Sequence, residues 1–166
     1  MNPLNVEPTG DEEVCRIARD LIRIDTTNYG SGHAVGEQEA ADCVASLLSD
    51  VGLKSQRYEA EPGRTNLIAR WKGADADLPA LILHGHLDVV PADASEWSVN
   101  PFDGVIKDGM LWGRGAVDMK DMDAMIIASV RALAAEGFVP KRDIILAFLA
   151  DEEANSVLVH DQLALS

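Results

Sequence analysis

The chain has 166 residues, with 28 acidic against 14 basic side chains and a formal net charge of −14. Its balance of 47% hydrophobic and 25% charged residues is that of an ordinary globular protein, long enough for one domain with a real core. Such acidity argues against nucleic acid and anionic membrane surfaces as partners, because both are bound by Lys and Arg that neutralise negative charge.

Apolar runs such as Ile144 to Ala150 fall far short of the roughly 20 residues of a membrane span. The lead from Met1 to Asp11, with Pro3, Glu7 and Pro8, has neither a basic start nor an apolar centre. No secretion signal is expected from it, and a cytoplasmic location is. Cys15 and Cys43 lack a Cys-x-x-Cys or Cys/His pattern and are expected as buried, reduced thiols.

After a lead over residues 1–10, expected to be disordered, Val14, Ile17, Leu21 and Ile24 recur at helical spacing, which predicts an amphipathic helix over 11–24. Asp11, Glu12 and Glu13 fall in its first turn, where the helix dipole favours anions. A polar stretch from Thr26 to Gly36 reads as an exposed loop. A second helix is predicted over 37–51, burying Ala40, Val44, Leu47, Leu48 and Val51 and stopped by Gly52.

The periodicity then changes. Residues 54–59 and 66–71 are short strand candidates, and the apolar run 79–83 reads as an interior strand. Val105 to Trp112 pivots on Asp108-Gly109, a dipeptide favoured in two-residue hairpin turns. A long helix is predicted over 118–136, with Met122, Met125, Ile126, Val130 and Leu133 as its core stripe and Gly137 as its stop. Residues 143–150 form a last buried strand. Helices alternating with continuous apolar strands imply an α/β layer architecture with some parallel pairing.

Three polar clusters sit at the ends of these elements. In His84-Gly85-His86-Leu87-Asp88, alternation along an extended chain puts His86 and Asp88 on one side. A metal-binding imidazole needs its second nitrogen held, and a nearby Asp is one way to do so. The same residues also fit a polar strand end, and His84 fits a satisfied core histidine. In the second cluster, Gly113 to Asp121, Asp118 is placed either as a ligand or as a helix N-cap, while Asp121 and Asp123 read as the solvated first turn. The third is Asp151-Glu152-Glu153, whose adjacent carboxylates repel unless something cationic neutralises them; a solvated acidic loop is the alternative. Together, imidazole and carboxylates without thiolate suit zinc or a similar divalent ion. In open α/β sheets ligands collect at the carboxyl ends of strands, where the first and third clusters fall.

The string Leu83 to Pro91, the segment Trp97 to Phe102, the string Leu111 to Lys120 and Ala150-Asp151-Glu152-Glu153 closely resemble the co-catalytic zinc amidohydrolases and peptidases. That family includes acetylornithine deacetylase, succinyl-diaminopimelate desuccinylase, aminoacylase and glutamate carboxypeptidases. The resemblance, over residues 11–154, implies a three-layer mixed α/β sheet flanked by helices. It further implies that His86 binds a zinc, that Asp88 orients His86, and that Asp118 bridges two zinc ions. Glu152 would be the general base and Glu153 a zinc ligand. The implied reaction is hydrolysis of an amide or peptide bond in a small N-acyl amino acid or dipeptide by a metal-activated water, with cobalt or manganese as substitutes for zinc.

The family pattern also includes a later acidic ligand, a distant histidine and an inserted lid and dimerisation domain, none of which has a counterpart in this sequence. The chain is therefore expected to be the N-terminal part of the catalytic domain, holding at most one ion weakly, with slight or no activity. Residues 155–166 depart from the pattern; His160 and Asp161 lack ligand spacing and are expected in a surface helix or frayed end. The alternative is a non-catalytic binding or assembly module with a vestigial metal site. Missing strands would leave an exposed sheet edge that favours self-association. Arg114 is expected to pack at the glycine turn, and the substrate itself is not specified by these residues.

Overall fold

The computed structural model describes residues 10–154 except Ser31. The predicted lead and the tail with His160 and Asp161 lie outside the described residues. Helix α1 (Gly10–Arg23) is followed by a small hairpin of β1 (Asn28–Gly30) and β2 (His33–Ala34), then by α2 (Gln38–Ser49). Strands β3 (Ser55–Glu59), β4 (Thr65–Trp71) and β5 (Leu81–His86) follow. A second hairpin, β6 (Val105–Lys107) and β7 (Met110–Trp112), leads to α3 (Lys120–Ala135) and β8 (Ile144–Leu149). The predicted turn lies between β6 and β7, with Asp108 and Gly109 both at positive φ, as a two-residue primed turn requires.

The main sheet has the order β3-β4-β8-β5, antiparallel except for the parallel pair β5 and β8, so the predicted mixed α/β architecture is observed. Leu67, Ala69 and Trp71 of β4 and Leu146 and Phe148 of β8 alternate onto one face. There they form one core with Ile17, Ala18 and Leu21 of α1, Val44 and Leu48 of α2, and Ala124, Ile127 and Val130 of α3. On the other face Ile68 and Ile145 are half-buried and Arg70 and Ile82 are exposed.

Several expectations need correction. The interior strands are β4 and β8, whereas β5 is an end strand among the described residues, with Leu81 and Ile82 exposed. An apolar run reports the demand for cover but cannot say which strand receives it. The predicted stripe of α3 is only partly buried: Val130 is in the core and Ile126 packs against it, but Met122, Met125 and Leu133 are exposed, and Ala124, Ile127, Ala128 and Arg131 fill the rest of the buried sector. Small alanines let α3 approach α1 closely, a packing preference that hydrophobicity does not score. Cys15 is exposed because it lies off the Val14–Ile17–Leu21 stripe; Cys43 is half-buried, and both are free thiols. The stretch from Thr26 to Gly36 is not simply exposed. Thr26, Thr27 and Asn28 are buried beside residues 87–89, where Thr26 Oγ1 donates to the Leu87 carbonyl at 2.7 Å.

Arg131 links the three helices. Its guanidinium donates to Glu13 Oε1 of α1 at 2.9 Å, and to the Leu47 carbonyl of α2 and Asp50 Oδ2 just beyond it, the latter at 3.2 Å. Arg131 is 4% exposed and Glu13 7%, so removing the buried cation leaves the carboxylate with only the longer, half-exposed contact from Arg16 at 3.3 Å. Losing one partner of such a pair costs about 3–5 kcal/mol. Arg131→Ala is therefore expected to lower the urea unfolding free energy by about that amount, and a loss under 1 kcal/mol would show that the pair is dispensable.

Candidate functional site

The site begins with the parallel pairing of β5 and β8. His86 pairs with Leu149, so both strands end at the same edge of the sheet. The histidine and the Asp151-Glu152-Glu153 turn thus arrive together from positions more than 60 residues apart in the chain. The second cluster joins them from the segment before α3. Gly115 turns there at φ +84°, and a Cβ at this residue would lie 2.9 Å from Val89 Cγ1. Asp118 is not an N-cap: the cap position is Met119, and α3 starts at Lys120. The Asp118 carboxylate is instead largely exposed and directed at His86, Oδ1 lying 3.1 Å from Nε2.

His86 is 6% exposed. Its Nδ1–H donates to the Asp88 carbonyl at 3.0 Å, with Asp88 Oδ1 at 3.5 Å. That contact leaves Nε2 facing Asp118 and Glu152, whose Oε2 is 3.7 Å away. His86, Asp118 and Glu153 each present one ligand atom, all within 4.8 Å of one another. For a tetrahedral ion with bonds of about 2.0–2.2 Å, ligand atoms stand a little over 3 Å apart, so this nitrogen and oxygen set can close around a divalent cation with little movement.

Asp88 is fully buried. Burial alone would raise its pKa, but the hydrogen bond from His86, the Asn28 amide at 2.9 Å and the backbone amides of Glu152 and Glu153, each at 3.1 Å, hold it below the ordinary Asp value. Burial likewise opposes charge on His86. Asp88, through both its side chain and its carbonyl, together with Glu152, outweighs this and lifts the imidazole pKa to about 9. The Glu153 pKa is raised, chiefly by desolvation; the charge of His86 opposes the rise, and those of Asp118, Asp88 and Glu152 add to it. In metal-free protein the site therefore carries its own proton on the nitrogen a metal would take.

The peptidase family M20/M25/M40 model matches residues 82–161, the stretch that carries all three clusters. Over these residues the chain is similar to that family. The chain is 34% identical to Aminoacylase-1 of Sus scrofa over 149 residues, 87% of this chain and 35% of that protein. It is 40% identical to a succinyl-diaminopimelate desuccinylase of Delftia acidovorans over 126 residues, 72% of this chain and 33% of that protein. Human carnosine dipeptidase 1 superimposes with a TM-score of 0.75 at 25% identity, covering 92% of this chain and 34% of that one. The chain thus spans about a third of the length of these relatives.

Sequence reasoning misses three residues around this site. Asn28 falls in the stretch expected as an exposed loop, yet its amide bridges Asp88 and Asp151, the latter at 3.0 Å. Lys120 is fully buried and donates to the carbonyls of Leu21 at 2.9 Å and Ile24 at 2.8 Å, tying the start of α3 to the end of α1. Burial pulls its amine pKa down to about 8 against the pull of Asp123 and other acids. Asp123 is not in a solvated turn; it is fully buried, and neither carboxylate oxygen has a hydrogen-bond partner. A Cβ at Gly85 would sit 2.0 Å from its Oδ1, so the glycine of the His-Gly-His run makes room for it. His84, offered as a core histidine, is exposed. Arg114 matches its expected structural role, with its guanidinium 5.5 Å from the Trp97 ring centroid.

Desolvation raises the Asp123 pKa to about 8, more than His86 and Lys120 lower it. Between the unfolded value near 3.9 and about 8 the native state then holds a proton that the unfolded chain releases, so this group's contribution to stability falls as pH rises through that window. Asp123→Asn cannot ionise. Without metal, its stability relative to the parent should increase between pH 5 and pH 8, as read by chemical denaturation at both values. A difference independent of pH would mean that Asp123 is ionised and paired in the fold.

Proposed function

We propose that this chain carries part of the active site of a zinc-dependent hydrolase that cleaves the amide or peptide bond of a small N-acyl amino acid or dipeptide. The convergence of His86, Asp118 and Glu153 ligand atoms within 4.8 Å is the observation that carries this reading. The names of the relatives, an acylase, a desuccinylase and a dipeptidase, support the linear amide as substrate class. Cobalt or manganese would serve as substitutes in the same donor set. A bound ion supplies Lewis-acid polarisation of the carbonyl and activates water at neutral pH.

The remaining chemistry falls to side chains. Asp88 holds the ring of His86 through Nδ1 so that Nε2 faces the ion. Glu152, half exposed at the mouth and facing His86, is the general base that takes the proton from the attacking water and passes it to the leaving amine. Asp118, largely exposed beside His86, would be a ligand of the ion, in the bridging role that the resemblance implies. On their own these 166 residues would hold at most one ion weakly and turn over little or no substrate. The outer edge of β5, with Leu81 and Ile82 exposed, is the surface through which self-association would proceed.

Zinc should raise the melting temperature of the chain by several degrees once its concentration is about 100-fold above Kd, where mass action adds about 2.7 kcal/mol. Asp118→Ala and Glu153→Ala should abolish that rise. An unchanged rise in both variants would place any zinc elsewhere. Because His86 must shed its proton to offer Nε2, zinc affinity should climb with pH up to about 9 and then level off. Calorimetry in buffers of different ionisation enthalpy should show about one proton released per zinc at pH 7.5. Two zinc ions bound at submicromolar affinity with turnover of an N-acyl amino acid would overturn the partial-site reading.

A further inference from the structure

Three adjacent carboxylates follow β8, yet only Glu152 and Glu153 face His86. Asp151 turns the other way, and its backbone adopts the left-handed region at φ +63°, uncommon for a residue with a side chain. The side chain is held there from two sides. Arg64 Nη2 donates to Asp151 Oδ1 at 2.9 Å, and the Asn28 amide donates to the same oxygen at 3.0 Å.

Arg64 is itself fixed. It lies just before β4, 8% exposed, and its Nε and Nη2 donate to the two oxygens of Glu37 at 2.9 and 2.8 Å. Glu37, at the start of α2, is fully buried and makes no capping bond to its own helix. A two-bond fork onto a carboxylate sets both the position and the plane of a guanidinium, which Lys cannot reproduce. A separate bond anchors the start of the same turn, since the Asn66 side chain of β4 accepts from the Ala150 amide at 2.9 Å, just past β8. A continuous run of buried and part-buried polar contacts thus leads from Glu37 through Arg64, Asp151 and Asn28 to Asp88, where the Glu152 and Glu153 amides also end.

We propose that Arg64 is a positioning residue of the metal centre, which, by clamping Asp151 to Glu37, holds the turn carrying Glu152 and Glu153 against Asp88. The zinc arm of the test rests on the metal reading above, whereas the clamp itself does not. Arg64 also supplies the positive charge that a run of three carboxylates requires, leaving the other two acids for the ion.

Two single variants and their combination test this in the 166-residue chain. Arg64→Lys keeps the charge and loses the fork. Asp151→Gly removes the clamped carboxylate, accepts positive φ without strain and leaves the Glu37–Arg64 pair in place, so its fold should survive. In the metal-free protein, hydrogen exchange at the Glu152 and Glu153 amides should speed up at least tenfold in both variants, with α3 protection unchanged. Zinc affinity by calorimetry should fall about 10- to 100-fold in each, the range seen when groups that orient ligands are lost. The double variant should fall no further than the weaker single one. Unchanged exchange at those two amides in either variant overturns the proposal, whatever zinc does. Additive affinity losses overturn it as well. A parent chain that takes up no zinc refutes the metal reading, and the exchange measurement then decides the clamp alone.

Discussion

The parallel register of β5 on β8 places His86 opposite Leu149, and the site depends on that pairing. Parallel strands end on the same side, so the residue that finishes one strand and the turn that leaves the other meet without a long loop. Their backbone groups also need partners there. The Leu87 amide continues the ladder by donating to the Leu149 carbonyl at 2.8 Å, and the Asp88 side chain then receives the amides of Glu152 and Glu153. Asp88 serves as an extension of the ladder as well as the group beside the imidazole. A slip of one residue would turn His86 away from both.

Electrostatics explains why the rest of the site is built around two internal cations. Asp88, Asp118, Glu152 and Glu153 surround one imidazole, and the imidazole answers by keeping its proton up to about 9. Arg64 takes Glu37 and Asp151 out of this sum by direct bonds. What remains is an excess of carboxylate that a divalent ion can relieve while it displaces the His86 proton. Burial pushes the Glu37 pKa upward, and the Arg64 fork is what opposes it. Asp123 has no such partner, so its low-dielectric setting holds it as a neutral acid under the strand that carries His86.

Much of the local structure was legible in the sequence because its signals are local. Helical spacing of Ile17 and Leu21, the Asp108-Gly109 turn and the β8 run each depend on residues within a few positions of one another. The chemical type of the site was legible for the same reason: imidazole and carboxylate at strand ends, without thiolate, restrict what can bind. Less legible was which side of each helix is buried. Arg131 and Lys120 are charged residues inside, and Met122 and Met125 are apolar residues outside, because the partners that decide the matter lie on other helices. Asn28 went unseen for an equivalent reason: nothing near it in the chain hints that Asp88, 60 positions away, accepts its amide.

By itself, the sequence determined the candidate donor types, the order of the main helices and strands and the family resemblance, all of which are written in residue types and short spacings. Tertiary structure decided the division of labour among the acids. Of Asp151, Glu152 and Glu153, one is tied to Arg64 and two are turned toward His86; of the two aspartates early in α3, Asp123 is sealed inside. These outcomes depend on burial and on pairing across 27 to 123 positions of chain. A carboxylate's role follows from what desolvates it and what donates to it, and only the folded chain brings those groups within reach.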